Sequence, residues 1–227
     1  MNASTNRDRT EKDMDLSFLA IRKSVGVLGI ALPIVLALGT LIVGECSHFI
    51  KDSISSYYYT LMGNFLTGIL AAVALFLFTY KGYNKADRIS AIIAGFGALT
   101  TAVFPTNSEN TTNWCEVITK PCSSFSNTAH FLGAAVFFVT LAFMSIFLFT
   151  KSDKKKEDIQ KPKRTRNRVY IAMGIIMLVA LLGIVLLRIP AVGRALNQYQ
   201  PEFWFETIAL WAFGFSWLVK GETILKD

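Results

Sequence analysis

Residues 151–187 read KSDKKKEDIQKPKRTRNRVYIAMGIIMLVALLGIVLL. This stretch joins a block rich in lysine and arginine to an apolar run, 169–187, that contains no charged residue. At about 1.5 Å of rise per residue, such a run forms a helix of roughly 28 Å, close to the ~30 Å hydrocarbon thickness of a bilayer. The stretch therefore predicts a membrane-spanning helix whose basic flank stays on one side of the membrane.

Five further apolar segments follow the same pattern, at 25–43, 58–80, 89–104, 129–149 and 203–219. The chain of 227 residues is 52% hydrophobic and 17% charged, with a mean hydropathy of +0.43. A soluble domain of this length could not bury so much apolar surface. The composition and the segments together predict an all-α integral membrane bundle of six transmembrane helices.

The basic residues predict the orientation of that bundle. Most of the 23 lysines and arginines lie at 7–23, 81–88, 151–168 and 220–226, which all fall on one side of the six segments. The other side retains only Lys51, Lys120, Arg188 and Arg194. Because short cytoplasmic loops retain lysine and arginine, both termini are expected in the cytoplasm, with the protein in a plasma or bacterial inner membrane.

The net charge of +7 has the same topological origin, since these residues would meet anionic lipid headgroups. Membrane lipids are therefore the expected partners, and nucleic acid is not. Because the first segment follows more than twenty polar residues and lacks a small-residue cleavage pattern after it, it is expected to be a retained helix rather than a signal peptide.

The predicted organisation alternates polar and membrane-spanning parts. Residues 1–23 form a polar cytoplasmic segment, of which 1–15 is expected to be disordered or loosely attached to the membrane, and 221–227 form a cytoplasmic tail. Helices 1–4 occupy 24–150 and include an outer loop at 105–127. A basic cytoplasmic loop at 151–168 then precedes helices 5 and 6 at 169–220.

The three cysteines all fall in predicted outer loops, Cys46 in the first and Cys115 and Cys122 in the second. Because outer loops face an oxidising compartment, a Cys115–Cys122 disulfide is predicted, with Cys46 either free or competing for one of the two. The spacing is not C-x-x-C and therefore does not favour a thiol redox enzyme.

Side-chain size predicts how the helices pack. The third segment is rich in alanine and glycine, including Ala94, Gly97 and Ala98, and is expected at the centre of the bundle. The aromatic sixth segment is expected to face lipid or line a groove, with Trp204 and Trp217 near the two interfaces. The tyrosines at 57–59 are expected to form an interfacial aromatic belt at the start of the second segment.

Polar side chains cluster at the predicted outer ends of the helices, where residues distant in sequence become neighbours. Glu202 and Glu206 are spaced i, i+4 and share a helix face, while His130 begins the fourth segment. Ionisable groups at these depths are expensive unless they are paired or hydrated. The cluster predicts an outward-facing pocket that binds a lipid or similar amphiphile through His48, Ser55, Ser56, Tyr57, His130, Arg188, Glu202 and Glu206.

Other interpretations of this cluster stay open. In a purely structural one, Glu206 pairs with Arg188 and His130 bonds a neighbouring loop, as in an accessory subunit without a small-molecule site. A metal-dependent lipid hydrolase would hold zinc through His48, His130 and Glu206, although no HExxH or other ligand spacing ties them together. A proton or ion pathway would use Asn64 as its deepest polar group. Whether the protein is an enzyme is therefore left open, and zinc is the only cofactor considered.

Three short motifs carry a family resemblance. The run 53–58, SISSYY, the sequence Phe104-Pro105-Thr106 and His130 together resemble an uncharacterised group of six-helix prokaryotic membrane proteins. That group is itself similar to the Frag1/DRAM/Sfk1 type of eukaryotic membrane protein. The resemblance covers about 53–149 and implies a role in lipid handling. The cysteine-bearing insert 107–127 departs from the shorter loop expected of the group.

Overall fold

The computed structural model describes residues 2–43, 49–82, 84–106, 123–151 and 161–224, with side chains from residue 19 and from residue 162 in the first and last ranges. The described residues contain no β-strand, which confirms the all-α class. Their seven α-helices are α1 (Asn2–Val43), α2 (Gly63–Thr79), α3 (Lys85–Val103), α4 (Ser124–Phe143), α5 (Lys161–Leu187), α6 (Pro190–Leu196) and α7 (Pro201–Lys220).

Shorter helical turns connect these elements. Ser55–Tyr59 and Asn197–Tyr199 are 3₁₀ turns, and the π-helical turn Met144–Leu148 continues α4. Gln200 enters α7 in the left-handed region, with φ 46° and ψ 53°, and Pro201 occupies the first turn of that helix.

Four stretches of the described helices are long and apolar enough to cross a membrane: Leu19–Val43, Lys85–Val103, Ser124–Leu148 and Pro162–Leu187. Helix α2 is apolar but shorter. Large apolar side chains also cover the outside of the bundle, such as Leu75, Leu132 and Val185, each more than 60% exposed. Such a surface suits lipid rather than water. The structure therefore supports a membrane protein, whereas the number of six spans stays a prediction.

The packing order differs from the one expected from side-chain size. Helix α3 packs mainly against α2 and α4 through its small residues, and its opposite face exposes Ile89, Phe96 and Val103. Helix α7, in contrast, packs against α1, α5 and α4 and buries Phe213 and Trp217. The expectation of a central third segment was therefore wrong, and the sixth segment faces outward only in part, through Trp204, Trp211 and Phe215. Trp217 is 1% exposed and packs on Tyr80 and Phe149 inside the bundle.

Glycines explain how the bulky α7 approaches its neighbour so closely. A methyl group added at Gly26 of α1 would lie 2.9 Å from the carbonyl oxygen of Gly214 in α7. The Trp211 indole N–H, one turn before Gly214, donates to the Ile30 carbonyl at 3.2 Å. Because both backbones lack Cβ atoms at the crossing, the two helices approach closely, and Gly29 of α1 leaves room for the Phe213 ring.

Two boundaries also differ from the predicted ones. Helix α1 begins at Asn2, so the expectation of disorder was wrong for 2–15; extending an existing helix requires no new nucleation. Helix α2 begins at Gly63, which leaves Asn64 exposed in its first turn rather than deep in the bundle. The tyrosines before it do not form an exposed belt, since Tyr57 is 0% and Tyr59 is 2% exposed.

The crossing of α3 and α4 provides a test of this packing. A methyl group at Gly97 would lie 2.7 Å from the Phe137 amide nitrogen and 2.8 Å from the Gly133 carbonyl oxygen. We expect Gly97→Ala to force the helices apart and to lower the free energy of unfolding by about 1–3 kcal/mol. Thermal unfolding in detergent, followed by tryptophan fluorescence, measures the change.

The matched control is Gly68→Ala in α2, where no atom lies within 4 Å of the added methyl group. Because alanine favours helix over glycine by about 1 kcal/mol, this variant should be as stable as the wild type or slightly more stable. Equal effects of the two substitutions would contradict the close α3–α4 crossing.

Candidate functional site

The segment before α2 folds back onto the bundle and carries most of the candidate site. The Phe203 amide in α7 donates to the Asp52 carbonyl at 3.0 Å. The Tyr57 hydroxyl donates to the Phe49 carbonyl at 2.5 Å and accepts from the Lys51 amide at 3.3 Å. Burial raises the pKa of Tyr57 to about 12, so its hydroxyl stays a donor at neutral pH. Tyr57 therefore fixes this segment and does not face a pocket.

Glu206, in the second turn of α7, is hydrogen-bonded to the same segment before α2. Its Oε2 atom accepts the Ile54 amide at 2.5 Å, and its Oε1 atom lies 3.4 Å from the Ser55 hydroxyl. These contacts offset part of the cost of placing a carboxylate among apolar helices. They also tie the start of α7 to the turn before α2.

His130 in α4 completes this arrangement. The Ser55 Oγ atom lies 2.8 Å from His130 Nε2, and His130 Nδ1 lies 2.7 Å from the Phe104 carbonyl at the end of α3. Because a carbonyl only accepts, Nδ1 carries the proton, and in the neutral ring Nε2 accepts from Ser55. We refer to Ser55, His130 and Glu206 as the polar bridge. It joins α3, α4, α7 and the 3₁₀ turn.

A serine hydroxyl that donates to a histidine is also the arrangement of a nucleophile and its base. In this structure Ser55 is 9% and His130 is 4% exposed, and the cavity beside them is about 40 Å³, room for a water but not for an ester. The geometry therefore supports a hydrogen-bonded brace more than a catalytic pair.

A separate pocket lies on the other face of the same turn, at the end of the bundle that holds α6. Its volume is about 540 Å³, within the usual range of small-molecule sites. We refer to it as the end pocket. Polar groups reach it from the turn before α2, from the segment after α3, from α4 and from the turn after α6; they are Ser53, Ser56, Thr106, Asn127 and Asn197.

The charged residues of the end pocket are Asp52, Arg188, Arg194 and Glu202. The Arg188 Nη2 atom lies 2.6 Å from Glu202 Oε1, and the guanidinium carbon lies 4.7 Å from the centre of the Phe131 ring. Such a partly exposed ion pair contributes at most about 1 kcal/mol to stability, so its main effect is to orient Arg188. Arg188 pairs with Glu202, not with Glu206 as the structural interpretation of the sequence had it.

The predicted site residues thus separate into two groups. Ser56, Arg188 and Glu202 line the end pocket, whereas Ser55, His130 and Glu206 form the polar bridge behind it. Tyr57 belongs to neither group. His48 lies outside the described residues, as do the cysteines of the predicted disulfide, Cys46, Cys115 and Cys122.

The zinc hypothesis depends on His48 and therefore stays a prediction. Within the ranges given above, no three His, Cys, Asp or Glu residues are grouped so that they could hold a metal ion. His130 and Glu206 both contact Ser55, so a zinc ion there would have to replace contacts that the polar bridge already makes.

Several residues of the site were not assigned from the sequence. Ser53, Arg194 and Asn197 line the end pocket, and the partners of the polar bridge include the Ile54 amide and the Phe104 carbonyl. Arg194 could have been found, because it is one of four basic residues on the predicted outer side. The Ile54 amide and the Phe104 carbonyl could not have been found, because every residue has a backbone carbonyl and nearly every residue has a backbone amide.

A double-mutant cycle tests the polar bridge. Ser55→Ala leaves His130 Nε2 without its donor, and His130→Ala leaves the Phe104 carbonyl without its donor, so each should cost about 1–3 kcal/mol of unfolding free energy. Because the two side chains bond each other, the double variant should lose less than the sum, with a coupling of at least about 0.5 kcal/mol. Chemical denaturation in detergent measures all three variants.

Thr128→Ala is the control, because Thr128 is exposed on α4 two residues from His130 and, among the described residues, bonds only the carbonyl of Ser124 in its own helix. It should change stability by less than about 0.5 kcal/mol. Additive effects of Ser55→Ala and His130→Ala would show that the bridge does not act as one unit.

Comparison with known proteins gives a family but no characterised relative. A family model described as Protein of unknown function (DUF998) matches residues 53–217. No curated protein and no solved structure matches the chain. The match contains the whole polar bridge and nearly all of the end pocket, while the similarity to the Frag1/DRAM/Sfk1 type stays a prediction. Because the matched region spans most of its length, the chain belongs to the family of proteins of unknown function DUF998.

Proposed function

We propose that this protein is a six-span protein of a plasma or bacterial inner membrane, with both termini in the cytoplasm, and that its end pocket faces outward and binds the headgroup of a lipid or similar amphiphile. The observation that carries the proposal is the end pocket itself. It is a polar cavity of about 540 Å³ at the end of a bundle whose sides are apolar.

Helix packing supports the count of six spans. Helix α7 lies between α1 and α5, both of which are long and apolar enough to cross a membrane. A helix packed along such neighbours shares their depth in the bilayer. Glu202 and Glu206 reduce the hydropathy of α7. Glu202, however, forms an ion pair at the helix start, and Glu206 is hydrogen-bonded to the turn before α2.

The distribution of charge supports the orientation. Within the described parts, the end-pocket side of the bundle carries Lys51, Arg188 and Arg194 as its basic residues, whereas the opposite end carries many more, including Lys85, Lys163 and Lys220. Because cytoplasmic ends of membrane proteins are the more basic ones, this distribution supports an end pocket on the outer face.

The surroundings of the end pocket favour an amphiphile over a fully polar solute. Phe131 of α4 and Leu187 of α5 line it, so apolar contacts begin at its wall. Next to them, Leu132 and Leu186 are among the exposed apolar residues on the outside of the same two helices. A headgroup can thus bond the polar groups of the end pocket while its chain follows the apolar surface.

Filling the end pocket tests this function. Asn197→Trp places an indole against the wall of the pocket and should remove most of the lipid that co-purifies with the protein, because the headgroup loses its space. Gln198→Trp changes an exposed neighbour that does not line the pocket and should keep the lipid. Mass spectrometry of lipid extracted from protein purified in a mild detergent gives the stoichiometry.

Both variants should unfold within a few degrees of the wild type, since both positions are on the surface. Equal lipid content in wild type and Asn197→Trp would overturn the pocket assignment. Stoichiometric zinc by elemental analysis would favour the hydrolase, and neither lipid nor metal would favour an accessory subunit.

Single cysteines test the topology. In a background without the three native cysteines, Gln198→Cys should react with an impermeant maleimide on intact cells, because it lies at the proposed outer end. Lys85→Cys, exposed at the start of α3, should react only after the membrane is opened. The reverse pattern would refute the orientation.

A further inference from the structure

The charged residues of the end pocket form an acidic wall and a basic wall, which meet where Arg188 and Glu202 pair at 2.6 Å. Asp52 and Glu202 lie together at the start of α7, because the Phe203 amide next to Glu202 donates to the Asp52 carbonyl at 3.0 Å. Arg188 at the end of α5 and Arg194 in α6 form the other wall. Two acidic and two basic residues leave the pocket formally neutral with both signs of charge in its lining, a pattern that complements a ligand carrying both signs of charge.

The basic wall suits a phosphate group. Arg188 is oriented by Glu202 and by the Phe131 ring, and its 2.6 Å bond uses a single guanidinium nitrogen, so other N–H groups remain as donors. Arg194 is exposed and makes no hydrogen bond or ion pair with the residues that the structure describes. Arginine is the preferred side chain for phosphate, because its planar fork donates two bonds to two oxygens.

The acidic wall suits a primary ammonium group. The Asp52 and Glu202 carboxylates and the Ser53 and Ser56 hydroxyls of the pocket can accept the hydrogen bonds that a primary ammonium donates. A quaternary ammonium has no N–H to donate and is bound instead by cages of aromatic rings. Among the described lining residues Phe131 is the single aromatic one, and Arg188 already lies over its face.

We infer that the end pocket selects a zwitterionic headgroup in which a phosphate ester is joined to a primary amine, as in phosphoethanolamine lipids. The phosphate lies against Arg188 and Arg194, and the ammonium lies between Asp52, Glu202 and the serine hydroxyls. This inference rests on the proposed function, since it names the headgroup that the amphiphile carries. A pocket of about 540 Å³ has room for such a headgroup.

Competition between lipids in mixed micelles tests the headgroup. Full-length protein is incubated with phosphatidylethanolamine, phosphatidylcholine or phosphatidylglycerol of identical acyl chains, and bound lipid is counted by native mass spectrometry. Phosphatidylethanolamine should bind about tenfold more tightly than either of the others, as expected for the loss of one charge-assisted contact. Arg194→Gln should weaken its binding about tenfold as well.

Arg168→Gln is the matched control, because Arg168 is exposed on α5 at the opposite end of the bundle and does not line the pocket. It should leave the binding of all three lipids unchanged. Soluble phosphoethanolamine, added without lipid, separates recognition of a membrane lipid from recognition of a free phosphate ester; it should compete only at much higher concentration, since it makes no apolar contacts.

The outcomes distinguish this inference from the proposed function. Equal binding of the three lipids, or preference for phosphatidylcholine or phosphatidylglycerol, overturns the headgroup class and leaves an amphiphile site. Soluble phosphoethanolamine that competes as well as the lipid keeps the headgroup class and overturns the amphiphile. No binding of any of these ligands overturns both.

Discussion

The hydrogen bond from the Ile54 amide to the Glu206 carboxyl group holds the turn before α2 against the start of α7, and both sides of the site depend on that turn. A carboxyl group among apolar helices is costly until donors surround it. Ile54 faces inward and its amide supplies such a donor, whereas Ser53 and Ser56 face the end pocket. One short segment therefore compensates an ionisable residue and forms the wall of the pocket. A change that loosens the bridge would also deform the pocket.

The ion pair and the polar bridge differ in what they can contribute. Arg188 and Glu202 are 50% and 24% exposed, so water screens their attraction and their bond mainly fixes the position of the guanidinium group. Ser55 and His130 are almost wholly buried, so a polar group that loses its partner there is not exposed to bulk solvent. We therefore assign stability chiefly to the polar bridge and recognition chiefly to the end pocket. The two glutamates, four residues apart on one helix, serve these two separate roles.

The sequence predicted the helices better than their arrangement. The length of the apolar segments and the position of the lysine-rich loop located the long helices. Segment length reflects the thickness of a bilayer, and the distribution of basic residues reflects its asymmetry. His130 and Glu206 stood out because ionisable residues are rare at such depths, but their partners include the Phe104 carbonyl and the Ile54 amide, which every sequence contains. The small residues on α3 correctly indicated close contact with neighbouring helices, but they did not indicate a position at the centre of the bundle. Gly26 and Gly214, which let α7 approach α1, lie in segments far apart in the sequence, so their contact could not be predicted before the fold was known.

The central place of α7 has a consequence for biosynthesis. Because α7 follows every other described helix in the chain, α1 and α5 are synthesised before the surface on which both pack. During that interval Ser55 and His130 lie in a bundle that lacks Glu206, and the wall of the end pocket has no support from α7. The site is therefore completed only when α7 joins the bundle. A chain truncated before α7 would keep most of the described helices and lack a completed site.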